Sequence, residues 1–329
     1  MSHKPESFPS DETVFPLQWY AVAWSRDLQN KPMKRKLAGR DFVLFRDDNG
    51  QVRCVQAYCP HRGADLSLGA CQGGALQCPY HGWEFAGDGQ CLSIPSQPNR
   101  PIPEFAHNAA FPVMEQAQLI WVYPERLHAG QTLPNLQLFP ELSDPNFVLT
   151  PFGTTWQAHV TRAVESVLDV AHLAFVHKKT IGRSLAAEIA NLEFTAEGDS
   201  IKIRNGGGLL EYLYPQHWIL KPSSPGKNQF IQYVTFTPVD REETALFGLA
   251  GRTFAKRIPG MNLLFGRYSN KVLQEDQAIV ESQHPRPIPE ALRMEAHVAA
   301  DAPQVRFRQR WFEFLTGDEA RVHVKESQR

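Results

Sequence analysis

Two short segments constrain this chain more than any other: Cys59-Pro60-His61-Arg62-Gly63 and Cys78-Pro79-Tyr80-His81-Gly82-Trp83, with sixteen residues between His61 and Cys78. Each offers one thiol and one imidazole. Pro60 and Pro79 stiffen the loops, and Gly63 and Gly82 permit tight turns that let backbone amides approach a bound group. A structural zinc site is the rival reading, since two Cys and two His also close a tetrahedral set. Zinc knuckles usually pair like with like, however, whereas each loop here gives one donor of each kind. A [2Fe-2S] centre in which two thiolates hold one iron and two imidazoles hold the other suits the pattern better.

The two runs resemble the Rieske iron-sulfur signature, which implies that Cys59, His61, Cys78 and His81 hold the cluster and that the chain handles single electrons. Imidazole ligands lift such a centre's potential above that of an all-thiolate cluster. The respiratory type carries an extra cysteine in each loop, where this chain has Ala64 and Tyr80, and a serine hydroxyl where it has Trp83. Losing that hydrogen bond lowers the potential, which suits an electron donor to oxygen chemistry.

Glycine turns at Asn49-Gly50, Gly73-Gly74 and Gly87 to Gly89 separate strand-like runs at Phe42 to Phe45, Val52 to Tyr58 and Leu119 to Tyr123. The expectation is a polar tail over 1–14, an all-β Rieske domain over 15–125, and a catalytic domain over 126–329. A loop-rich bridge runs from Glu125 to Pro151. Helical spacing then appears near Val164 to Phe175, strands at Leu192 to Thr195, Ile201 to Ile203, Leu209 to Leu213, Gln229 to Thr237 and Ala245 to Ala250, and helices at Lys271 to Gln283 and Pro303 to Leu315. The fold class is therefore multidomain α+β, the second part an antiparallel, helix-grip-like sheet with helices on one face. With 34 basic and 35 acidic residues the charge is balanced, and no nucleic-acid partner is expected. No apolar run approaches the roughly 18 residues of a membrane span, so a cytoplasmic protein is expected. Cys54, Cys71 and Cys91 read as reduced thiols.

The second half holds Asp169, His172 and His177 in one short stretch. A five-residue step turns about 140° around a regular helix, so the two histidines cannot converge from an unbroken one. The helix is expected to end or bulge between Leu173 and Val176. Asp169 lies three residues before His172, on one side of a helix, where its carboxylate can orient the imidazole.

This stretch resembles the mononuclear iron motif of the Rieske non-heme iron oxygenases, also called aromatic ring-hydroxylating oxygenases. The likeness extends from Trp19-Tyr20 to Glu281-Ser282-Gln283. It implies that His172 and His177 join a carboxylate in a facial triad that holds Fe(II) and leaves the opposite positions open. In Gln274-Glu275-Asp276-Gln277 the ligand place falls on Asp276, with Glu275 and Glu281 as the alternatives. Many members carry Asn where this chain has Ser166. The branch resembled is the compact monooxygenase and demethylase one, such as the caffeine N-demethylases, the vanillate and dicamba O-demethylases and the saxitoxin-pathway hydroxylases, rather than the two-subunit dioxygenases or the plastid branch.

The resemblance implies a terminal oxygenase component that hydroxylates or oxidatively demethylates an aromatic or polycyclic small molecule with O2. Electrons come from a separate NAD(P)H-dependent reductase, with or without a ferredoxin. A head-to-tail homotrimer is implied, in which His81 of one subunit faces His172 of the next and Asp169 bridges them. Dihydroxylation or desaturation on the same scaffold, and a non-catalytic electron carrier or binding protein, are the alternatives. Gly206-Gly207-Gly208 lacks dinucleotide-site spacing and reads as a hairpin turn. Lys31, Lys34, Arg35 and Lys36 read as a solvated loop rather than a docking patch. His159, His217 and His284 are either pocket or structural residues.

Overall fold

The computed structural model describes residues 14–127, 130–189, 192–224, 226–288 and 294–323. The tail expected at 1–14 lies outside them apart from Val14. The described residues divide into two compact units, those of 17–136 with 322–323 and those of 137–321 with 14–16.

Along the first unit run β1 (Tyr20–Trp24), β2 (Met33–Leu37), β3 (Arg40–Arg46), β4 (Val52–Gln56), β5 (Ala70–Gln72), β6 (Ala75–Gln77), β7 (Glu84–Phe85), β8 (Cys91–Ser93), β9 (Val113–Gln116) and β10 (Leu119–Val122). They make antiparallel sheets ordered β9-β10-β1, β2-β3-β4 and β5-β6-β7-β8. The run Phe42-Val43-Leu44-Phe45 is buried on both faces of central β3, as a continuous apolar strand requires. The basic run expected to be a loop is instead largely edge strand β2, and charge along an edge discourages further pairing. Lys34 donates to Asp65 at 2.9 Å and to Tyr58 Oη at 3.1 Å.

Both cysteine-histidine loops close in the same way. The Cys59 amide donates to Ala64 O at 2.9 Å and the Gly63 amide returns to Cys59 O at 2.9 Å; Cys78 donates to Trp83 O at 2.7 Å and Gly82 to Cys78 O at 3.1 Å. Gly63 and Gly82 take φ of +69° and +70°, the left-handed region that disfavours a Cβ. Cys59 and Cys78 join a core cluster with Phe45, Leu66, Leu76 and Phe85. All five cysteines are free thiols.

The second unit contains β11 (Val148–Trp156), α1 (Val160–Leu168), α2 (Leu173–Val176), β12 (Glu193–Glu197), β13 (Ser200–Asn205), β14 (Gly208–Leu213), β15 (His217–Pro222), β16 (Phe230–Pro238), β17 (Thr244–Arg252), α3 (Met261–Val280) and α4 (Ala302–Thr316). One seven-stranded antiparallel sheet has the order β11-β17-β16-β15-β14-β13-β12. α1 and α3 pack on it: Trp218 Nε1 of β15 donates to Val167 O of α1 at 3.0 Å, and Gly153 of β11 donates to Asn270 of α3 at 2.9 Å. Gly206 and Gly207 form the turn between β13 and β14.

Three departures from the sequence reading have local causes. β11 lies partly in the expected bridge, because Pro151 and Gly153 break its strand pattern; it is an edge strand, where proline is tolerated. α3 starts at Met261 instead of Lys271, its exposed Leu263 and Leu264 having obscured the apolar period. The helix break falls at Asp169–Ala171, not between Leu173 and Val176. Asp169 is extended (φ −80°, ψ 126°) and its Oδ1 accepts the Ala171 amide at 2.7 Å. That side chain diverts an amide from the helix ladder. α2 is then a single turn with His172 and His177 at its two ends.

Gly182 pins this turn, its amide donating to His177 O at 3.0 Å. A Cβ at Gly182 would stand 1.9 Å from Leu173 O. Gly182→Ala is therefore expected to destabilise the second unit by about 1–3 kcal/mol and to reduce iron content. Calorimetry and metal analysis check this, with the visible absorption of the iron-sulfur centre retained.

Candidate metal centres

The first site lies at the two glycine-closed loops. Cys59 and Cys78 are each 3% exposed. Burial, with the Cys78 thiol beside it, pushes the Cys59 thiol up to about 11, while the His61 and Arg62 amides donating to its sulfur pull the other way. The His61 and His81 rings lie 4.7 Å apart, and Trp83 stacks flat on His61 at 4.6 Å with 5° between planes. His81 is exposed, under Tyr80 at 3.8 Å. His61 Nδ1 is shielded from solvent yet has no hydrogen-bond partner. Two adjacent thiols, amides aimed at sulfur and an unpaired imidazole nitrogen fit an iron-sulfur group.

The second site is assembled from α2 and α3. His177 Nε2 lies 3.0 Å and His172 Nε2 3.4 Å from Asp276 Oδ1, and the two Nε2 atoms are 3.2 Å apart. The far nitrogens face carboxylates. His172 Nδ1 is 3.6 Å from Asp169 Oδ2, and His177 Nδ1 is 2.9 Å from Glu275 Oε2, which also accepts from Thr180 Oγ1 at 2.5 Å. The carboxylate bonded to His177 fixes that ring's tautomer and raises its basicity as a ligand, while Asp169 acts on His172 by charge, Nδ1 of that ring having no hydrogen-bond partner. Burial opposes a proton on His172, but Asp169 and Asp276 outweigh it and raise that imidazole to about 9. His177 is raised as well, against burial, by Asp276 and Glu275. Burial raises and the two imidazoles lower Asp276, with a net fall. Two nitrogens and one carboxylate oxygen on one side, with an open side opposite, fit a divalent iron.

That open side is an apolar cavity walled by Phe152, Val167, Leu210, Trp218, Leu220 and Val234, among others. Across Asp169 and Ser166 lies a second, polar cavity lined by Arg162, Glu165, Glu295 and Arg308. These four form a charge-balanced network: Arg308 pairs with Glu165 and, at 2.7 Å, with Glu295, while Arg162 reaches Glu295 at 2.8 Å and Glu165 at 3.2 Å. Burial raises Glu295, but the two guanidiniums outweigh it and hold it at about 2. Its sequence signal is Arg162 and Glu165, three apart on α1.

The structure brings Cys59 and Cys78 together, His61 beside His81, and His172, His177 and Asp276 within 4.8 Å of one another. Glu275 backs His177 and stands outside the donor set, while Glu281 accepts from the Gln157 amide at 2.9 Å. Asp169 meets His172 as expected, but from the end of α1 instead of along one helix face. His159 caps α1 and stacks on Phe15, and His217 bonds Tyr233 Oη at 2.8 Å. Neither lines the apolar cavity. His284 borders the polar one. Thr180, which holds Glu275, carries no sequence signal.

Residues 18–115 match the Rieske [2Fe-2S] domain, and residues 210–315 match the vanillate O-demethylase oxygenase C-terminal domain. Chlorophyllide a oxygenase of Chlamydomonas reinhardtii is 28% identical over 94% of this chain and 49% of its own length. The methylxanthine N1-demethylase NdmA of Pseudomonas putida is 27% identical over 90% of this chain and 88% of its own. This chain spans about half the length of the chloroplast relatives it matches. Among solved structures, Pseudomonas putida CBB5 NdmA superposes with a TM-score of 0.78 at 25% identity, covering 95% of this chain and 97% of that one. Dicamba monooxygenase bound to dicamba gives 0.76 at 25%, covering 91% and 97%.

Fold and matches together define a two-unit iron-sulfur protein with an oxygenase-type α+β part. With a Rieske [2Fe-2S] domain followed by a vanillate O-demethylase-type oxygenase domain, the chain is similar over most of its length to Rieske oxygenases, and its two donor sets fit a [2Fe-2S] cluster in the first unit and a mononuclear iron in the second. No helix among the described residues is long and apolar enough to cross a membrane.

Asp276→Ala is expected to lower iron from about three to about two per chain with the cluster spectrum intact, and Glu275→Gln to weaken mononuclear iron binding about 10–100-fold. Metal analysis and competition titration measure these. Because His172 holds its proton below about 9 in the metal-free site and ligation needs it neutral, Fe(II) affinity should fall about tenfold for each pH unit of acidification below that point. Anaerobic titrations from about pH 8 to about pH 6.5 test the slope.

Proposed function

We propose that this chain is the terminal oxygenase of a multicomponent system, hydroxylating or oxidatively demethylating a small aromatic or polycyclic molecule. Cys59, Cys78, His61 and His81 hold the [2Fe-2S] cluster, and His172, His177 and Asp276 hold the iron. The observation that carries the reading is the two-histidine, one-carboxylate set at the wall of an apolar cavity. Bound there, the cluster and iron supply electron transfer and the activation of O2 for insertion into a C-H bond; at an N-methyl or O-methyl carbon, the hydroxylated product loses formaldehyde.

The chain's own residues do the rest. Apolar walls position the substrate and exclude water. Asp169 and Glu275 hold the imidazoles in register with Asp276. Asp169 also borders the polar cavity, and His81 is exposed at its loop tip. Both suit a homotrimer in which Asp169 links His172 to a neighbouring subunit's His81. A separate NAD(P)H-dependent reductase, directly or through a ferredoxin, supplies the electrons, and the reading places the enzyme in the cytoplasm beside that nucleotide pool. The NdmA structure with caffeine and the dicamba monooxygenase structure with dicamba favour a compact aromatic substrate.

Reduced protein, freed of reductant, is exposed to O2 with a panel of N-methyl, O-methyl and polycyclic aromatics. One class should accelerate cluster oxidation and yield stoichiometric product; full iron occupancy with no product from any compound would sink the reading. Asp169→Asn should keep both metal centres and nearly abolish turnover, as steady-state rates and iron content together will report.

A further inference from the structure

The apolar cavity contains one buried polar pair that the iron site does not use. Gln232 of β16 and Ser269 of α3 both line it, 9% and 1% exposed, and Gln232 Nε2 donates to Ser269 Oγ at 3.1 Å. That bond leaves the amide oxygen of Gln232 as an acceptor and the Ser269 hydroxyl proton as a donor. The other hydroxyl on the wall, Ser166, already donates to Ala163 O at 2.9 Å. No lysine or arginine lines the cavity among the described residues; its charged groups are Asp169, Asp276 and the two histidines.

Position on α3 supplies the geometry. Ser269, Val272, Leu273 and Asp276 all face the cavity, at spacings of three, four and seven residues, which place them on one helix stripe. Seven residues are two turns and about 10 Å of rise. Ser269, with Gln232 bonded to it, therefore sits about 10 Å along α3 from Asp276.

We infer that the substrate is an uncharged molecule with an apolar body and one polar group, such as an amide or ring carbonyl, that hydrogen-bonds Gln232 and Ser269 at the end opposite the oxidised carbon. This rests on the oxygenase reading and narrows its substrate class. A carboxylate or sulfonate would lose its hydration in a cavity with no cation to replace it, whereas a neutral amide exchanges water for a ready donor and acceptor. A site built to pair a polar group also discriminates against the analogue that lacks it, because the site's own groups are then left unpaired.

The test uses the iron-replete enzyme and a matched series: one methoxy- or N-methyl-aromatic body carrying a primary amide, a methyl or a carboxylate at the far end. Anaerobic calorimetry gives Kd, and turnover with product analysis is measured separately. The amide should bind about 10–100-fold more tightly than the methyl analogue and the carboxylate most weakly. Gln232→Leu should bring the amide's Kd to that of the methyl analogue with cluster and iron spectra unchanged, and Gln232→Arg should make the carboxylate the preferred member. Tightest binding of the carboxylate by the wild type, or an amide Kd unmoved by Gln232→Leu, would overturn the inference. The binding order without product from any member would instead count against the oxygenase reading, so the two fail separately.

Discussion

Charges buried against an apolar cavity are tolerated only when each meets its opposite, and the second unit is arranged around that requirement. Asp276 faces two imidazoles, and each imidazole faces a further carboxylate. Those carboxylates are themselves held, Asp169 by the Ala171 amide and Glu275 by Thr180. Behind α1, two arginines and two glutamates compensate one another and tie that helix to α4. The broken segment between α1 and α2 is consequently fixed at both ends. Its irregular backbone is stabilised by the same groups that set the donor geometry.

How much of this could be read from sequence depended on how local the signal was. Cys59 with His61, and Cys78 with His81, announce themselves because each loop holds its donors within a few residues and its glycine in the left-handed region. His172 and His177 were visible as a pair, and the rotation argument rightly required a break. It could not locate that break, because the deciding event is one side chain, Asp169, capturing one amide. Asp276 lies about a hundred residues further on, and only the family pattern around Glu275-Asp276 picked it out. Gln232 and Ser269 are separated by 37 positions, and no periodicity links a strand glutamine to a helix serine. β11 was hidden by Pro151, a residue that only an edge position explains.

The two cluster loops repeat one solution with different side chains. Each folds its cysteine amide onto the carbonyl five residues on and closes with a left-handed glycine. They differ in what surrounds the imidazoles: Trp83 stacks against His61, while His81 remains exposed beside Tyr80. One imidazole is thus stacked on the buried Trp83 of its own unit, and the other is presented outward. That asymmetry is what a centre needs if electrons are to leave it in one direction.

The three cysteines outside the cluster loops complete the picture. Burial raises the thiol pKa of Cys54, Cys71 and Cys91 alike, so each stays protonated at neutral pH. Peroxide attacks thiolate, not thiol, on the way to sulfenic and sulfinic acids. Any catalyst that reduces dioxygen runs the hazard of releasing peroxide when no substrate is in place to be oxidised. A chain whose spare sulfur is kept unreactive can survive its own misfires, and its working lifetime is then set by the iron centres instead of by oxidation of its core.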